Sequence, residues 1–92
     1  MRKYHDSLIE ALKDSKEAAG YLNAALEAGD KEMFLVALRN VAEARGGMAK
    51  LSRQAKLNRA NIYKVFSKHG NPEIKTLTHI LRIFGLRLSV AA

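Results

Sequence analysis

Cysteine and tryptophan are absent from the 92-residue chain, and proline occurs once, at Pro72. Without cysteine there is no disulfide scaffold and no thiolate metal site, and nothing requires an oxidising compartment, so the expected location is the cytoplasm. With one proline and few β-branched residues before the last third, little interrupts a helix. No apolar run approaches a membrane span. The opening MRKYHDSLIEALKD is broken by Asp6, Glu10 and Asp14, so no export or insertion signal is visible. Acids are nearly missing from the second half: residues 46–92 carry nine Lys/Arg against Glu73 alone, whereas residues 1–45 carry seven against eight. The whole net charge of +7 therefore arises in the second half. Such a confined positive field suits a polyphosphate partner, because each neutralised phosphate releases condensed counterions. Charge alone would also permit RNA or an anionic membrane.

What is present is helical spacing. With 48% hydrophobic residues, the chain can form one modest core, and a single domain spanning residues 1–92 is expected. Leu8, Ile9 and Leu12 predict a short opening helix, and Asp14 with Glu17 three positions on predicts a capping box that restarts the chain. Ala18, Leu22, Ala25 and Leu26 make one apolar stripe. Gly29 can end that helix in a left-handed conformation, and Asp30 can cap the next, whose buried face is Phe34, Leu35, Leu38, Val41 and Ala42. Gly46-Gly47 breaks the pattern. Leu51 and Ala55 then face inward from a further helix, Leu57 occupies a turn and Asn58 caps a helix burying Ile62, Val65 and Phe66. By the 3.6-residue period this leaves Arg59, Ala60, Asn61, Tyr63 and Lys64 outward or nearly so. Gly70-Asn71-Pro72 signals another turn, and Leu77, Ile80, Leu81 and Phe84 predict a final helix up to Gly85.

Beyond Gly85 the period changes. Leu86, Leu88 and Val90 alternate with Arg87, Ser89 and Ala91, which predicts a short C-terminal β-strand with no partner elsewhere in the chain, free to pair with its copy in a dimer. The expected fold class is thus all-α: a compact helical bundle, with residues 1–30 as an N-terminal helical extension and residues 31–92 as a five-helix nucleic-acid module. No internal repeat or low-complexity tract is present.

Catalytic chemistry has little to build on. His5, His69 and His79 are scattered and lack the spacing of a zinc helix, so they read as ordinary surface or core histidines. The serines lack a nucleophile elbow, no glycine run has a phosphate-cradling pattern, and Glu73 is the only carboxylate in the basic half. No catalytic residue, metal site or cofactor is expected, and the chain does not read as an enzyme.

From Lys31 to Val90 the chain resembles the helix-turn-helix domains of phage repressor and Cro proteins. The small residue of the first motif helix falls at Ser52, the turn hydrophobe at Leu57, and the two buried anchors of the second helix at Ile62 and Val65. The pattern departs at Lys56, where that family commonly places a left-handed glycine, so mild strain or an altered turn is expected there. A narrower resemblance covers almost the whole chain. GDKEMFLVALRNVAEARGGM, GNP and the closing GLRLSV look like the addiction-module antidote proteins, HigA-like antitoxins that repress their own operon. That resemblance implies a type II toxin–antitoxin antidote whose partner is a small RelE-like ribonuclease toxin.

The repressor resemblance also implies an interface with double-stranded operator DNA. Its second motif helix would lie in the major groove, with Arg59 offering the guanidinium fork that matches guanine O6 and N7, and Ala60 against a thymine methyl. Asn61 or Lys64 would reach a neighbouring base or phosphate, and Tyr63 could donate its hydroxyl to a phosphate. The plainer alternative is that Tyr63 covers core and Lys64 is simply solvated. Met48, Ala49 and Lys50 would point free amides at phosphate. Asn58, at the cap, joins the interface, and Ser67, Lys68 and Asn71 would clamp the backbone from the following loop. A homodimer would place two such helices on half-sites about 34 Å apart. Two other functions stay open: a stand-alone prophage-type transcriptional regulator without a toxin partner, and a basic protein binding nucleic acid without sequence preference. The apolar stripes of residues 8–42 are chiefly core, but an extension ahead of a DNA module also suits protein binding.

Overall fold

A computed structural model describes residues 2–67 and 69–92. Among them are six helices: α1 (Arg2–Ala11), α2 (Ser15–Glu27), α3 (Lys31–Ala44), α4 (Met48–Ala55), α5 (Arg59–Val65) and α6 (Ile74–Ile83). None is long and apolar enough to cross a membrane. Local chemistry sets most of the boundaries. The Asp14 carboxylate accepts the Glu17 amide at 3.2 Å and opens α2, while Asp30 accepts the amides of Glu32 and Met33 at 2.9 and 3.4 Å and opens α3. The capping box expected at Asp14 forms only by half, because the Asp14 amide instead donates to the Ala11 carbonyl at the end of α1.

The helix α3 occupies the centre. It packs against α1, α2 and α4, and it buries Phe34, Leu35, Ala37, Leu38, Val41 and Ala42, more than one stripe of a surface helix would. Leu12, Ala18 and Leu22 from the first 30 residues join Leu51, Ile62, Phe66, Ile80 and Phe84 from the basic half in one core through it. A partly buried hydrogen bond from Asn40 Nδ2 to the Tyr21 hydroxyl, 2.9 Å, also ties α2 to α3. The radius of gyration is 12.6 Å, against about 12 Å for a chain of this length packed as one unit, so the extension folds back onto the module.

The turn between α4 and α5 closes on three carbonyls. The Lys56 amide donates to the Arg53 carbonyl at 3.3 Å, the Leu57 amide to Ser52 at 3.2 Å, and the buried Ser52 hydroxyl to the Leu57 carbonyl. The geometry is that of a helix closed by a left-handed residue, and Lys56 takes it with φ 58° and ψ 37°. The sequence expectation of strain at this position is therefore met by a side chain held where glycine is cheaper. The Ala55 carbonyl, at the end of α4, accepts from His79 Nε2 of α6 at 3.1 Å.

Several expectations need correction. Residues 31–92 form four helices, not five, among the described residues. The C-terminal strand is absent there too: the Leu86 amide is committed to the Leu81 carbonyl at 2.8 Å as part of the α6 cap, and no partner strand exists to hold the rest. Val90 is fully exposed. Leu26, assigned to the α2 stripe, is 47% exposed, lying at the edge of open grooves beside Phe34 of α3, while Ala25 next to it is partly buried.

Two backbone positions yield direct tests. Replacing Lys56 with glycine should raise stability by about 0.5–1 kcal/mol, the difference between the left-handed penalty of an L-residue and the entropy cost of glycine, read as a shifted urea midpoint. A Cβ at Gly70 would lie 2.1 Å from the Val65 carbonyl oxygen and 2.9 Å from that of Lys64. Gly70→Ala should accordingly lower stability by about 1–3 kcal/mol in the same measurement.

Candidate nucleic-acid interface

From Met48 to Val65 the chain carries Lys50, Arg53, Lys56, Arg59 and Lys64 and no acid. Burial of Leu51, Ser52 and Ala55 on α4, and of Ile62 on α5, turns all five cations to solvent. They have no counter-ion: the ion pairs among the described residues are His5–Glu43 and Lys13–Glu10, both in the first 45 residues. Five exposed and unpaired cations on two short helices make a field that focuses on a polyanion.

The helix starts add donors. At α4 the first intrahelical bond runs from Leu51 to the Gly47 carbonyl, and Gly47, at φ 92°, has no side chain to cap with. The amides of Met48, Ala49 and Lys50 thus lead α4 without a capping acceptor, at the positive end of its dipole. Met48 and Ala49 are half-buried and Lys50 is exposed, so the first two could offer only backbone. At α5 the Asn58 carboxamide oxygen accepts the Asn61 amide at 2.8 Å. Asn58 is thereby a cap, with only its Nδ2 left to donate elsewhere.

Arg59, Ala60, Asn61, Tyr63 and Lys64 are all exposed on α5, Tyr63 at 43%. Asn61, Lys64 and Asn71 come together around one groove of about 370 Å³, closed by His69 and Pro72. Gly70 permits this by letting the loop lie against the last carbonyls of α5. Ser67 is exposed, but its hydroxyl donates to the Lys64 carbonyl at 2.8 Å and, while so engaged, has no proton for a phosphate. Lys68 lies outside the described residues.

Sequence reasoning passed over Arg45. This residue ends α3 immediately before Gly46-Gly47, and its Nε and Nη2 are buried without a hydrogen-bond partner among the described residues. The available signal was a cation directly ahead of a glycine pair that opens a basic helix. Arg53 on α4 and Lys56 at its C-cap are exposed cations of the same basic segment.

Helix content and charge distribution define a small protein, all-helical among the described residues, whose helices α4 and α5 and the turn between them carry five cations and no acid. A family model described as "probable addiction module antidote protein" matches residues 3–92, and the chain belongs to that family. An antidote family implies a cognate toxin as partner. The chain is similar to an uncharacterized protein of Haemophilus influenzae, 33% identical over 83 residues that cover 90% of this chain and 84% of the relative. No solved structure matches it.

The two roles available to Asn58 separate by substitution. Asn58→Ala should cost about 1 kcal/mol of stability through loss of the cap, whereas Asn58→Asp should retain that stability, because the carboxylate accepts the same amide. Thermal unfolding of the three proteins compares them directly.

Proposed function

We propose that the chain is the antidote of a type II toxin–antitoxin module, one that binds operator DNA as a homodimer, represses its own operon and neutralises a RelE-like ribonuclease toxin in the cytoplasm. It acts by binding and does not catalyse. Membership of the antidote family over residues 3–92 supports the toxin-neutralising half of this reading. The acid-free pair α4 and α5, with five exposed cations, is the observation that carries the DNA half.

In this reading the pair acts as a Cro-type helix-turn-helix. The free amides at the start of α4 hold a phosphate, and α5 enters the major groove by its N-terminal turn. Arg59 reads guanine through a bidentate pair, Ala60 meets a thymine methyl, and Asn61 and Lys64 reach adjacent bases or phosphates. Two copies would join through residues 87–91, beyond the α6 cap, where Leu88 is 39% exposed and Val90 fully exposed. A twofold dimer then reads a palindromic operator with half-sites one helical turn apart.

Fluorescence anisotropy with a duplex from the chain's own promoter and a scrambled duplex tests this at two salt concentrations. A preference of at least about 10³-fold for the promoter is expected at physiological salt. Arg59→Ala should cost about 1–3 kcal/mol and relax the preference at one base pair, whereas equal, steeply salt-dependent binding to both duplexes would refute operator recognition.

A further inference from the structure

The groove between α2 and α3 differs chemically from four other grooves of the surface. It has a volume of about 460 Å³, with Ala24 of α2 and its C-cap Ala28 on one side, Met33 and Val36 of α3 on the other, and Tyr21 also lining it. Met33 and Val36 remain 56% and 58% exposed, although Phe34, Leu35, Ala37 and Leu38 around them are buried. At i and i+3 they share one stripe of α3, so two large apolar side chains stand together in water with none of the described residues closing over them. Tyr21 is already held by Asn40 at 2.9 Å, which leaves one wall ordered before any partner arrives.

The charged residues lining this groove are Asp30 and Glu32, both acids. Four other grooves each carry a cation: Arg82 with Arg87, Lys31, Lys64 and Lys16. None of the lining residues of the acidic groove belongs to α4 or α5.

We infer that the α2–α3 groove receives an amphipathic helix of the cognate toxin, with apolar side chains laid between Met33, Val36 and the α2 alanines, and Lys or Arg set against Asp30 and Glu32. The inference rests on the antidote reading above. Charge complementarity selects this occupant. A toxin that cuts RNA needs a cationic surface to approach a polyphosphate, and such a surface is repelled by the cations of residues 46–92. An apolar trough between two helices fits a third helix, and a carboxylate rim fixes its register. DNA and toxin then occupy different elements, so one chain can hold both together.

The test uses the full chain with the ribonuclease-type protein encoded beside it, by titration calorimetry of the purified pair. Val36→Lys, at an exposed position, should leave the thermal unfolding midpoint and promoter-duplex affinity unchanged and weaken toxin binding by about 30- to 100-fold. Glu32→Lys should weaken binding about tenfold and flatten its salt dependence. Wild-type affinity in both variants would overturn the assigned groove while leaving the antidote reading intact. A Val36→Lys chain whose own oligomeric state changes in light scattering, with toxin affinity retained, would assign the groove to a second copy and overturn the inference. Absence of any complex with the wild-type chain would overturn the antidote reading, and the groove with it, independently of the promoter measurement.

Discussion

Burial of α3 on more than one side holds this protein together. Leu38 and Val41 are fully enclosed, and complete burial of an aliphatic side chain of this size contributes about 1.5–3 kcal/mol. Their neighbours come from both halves of the chain: Leu12, Ala18 and Leu22 on the N-terminal side, Leu51, Ile62 and Ile80 on the basic side. A helix packed on one face alone would leave the extension as a separate appendage. Packed as it is, α3 makes the position of α1 and α2 depend on the same apolar contacts that seat α4.

From that centre the cationic surface follows by geometry. The helix α4 leans on α3, α5 and α6 lean on α4, and inward commitment of Leu51, Ala55 and Ile62 turns every Lys and Arg from 48 to 65 outward. Two backbone devices then aim α5: the left-handed Lys56, with carbonyls of α4 closed by the following amides, and the bare Cα of Gly70 against the last turn of α5. The family implies a cognate toxin as partner, and the two halves of the chain differ sharply in charge. Five cations and no acid lie between Met48 and Val65, whereas eight of the nine acids lie in the first 45 residues.

Much of this was legible in one dimension. Asp14, Asp30 and Asn58 were expected caps, and each accepts an amide at the start of its helix, because capping depends on residues only two or three positions apart. Gly29, expected to end α2 in a left-handed conformation, has φ 74°. The strain expected at Lys56 followed from the resemblance to repressor helix-turn-helix domains, which commonly place a left-handed glycine there, and Lys56 has φ 58°. Less legible were the features set by distant residues. Leu26 has the spacing of a core residue, yet it lines open grooves beside Phe34 and stays 47% exposed. Val90 alternates like a strand residue, but a strand requires a ladder partner that is absent among the described residues. Arg45, with two nitrogens buried and unpaired, looked like any basic residue at a helix end.

The sequence by itself determined the helical segmentation, the caps, and the crowding of positive charge into residues 46–92, since each depends on neighbours within about one turn or on composition alone. Tertiary structure decided which apolar residues stay in water, which polar groups on α5 and its loop are already spent on internal hydrogen bonds, and that Asn61, Lys64 and Asn71 share one groove. Those outcomes depend on which surfaces meet across the core. Periodicity can assign Met33 and Val36 to a stripe of α3, but only the packing of α2 beside them leaves that stripe as the open wall of a groove.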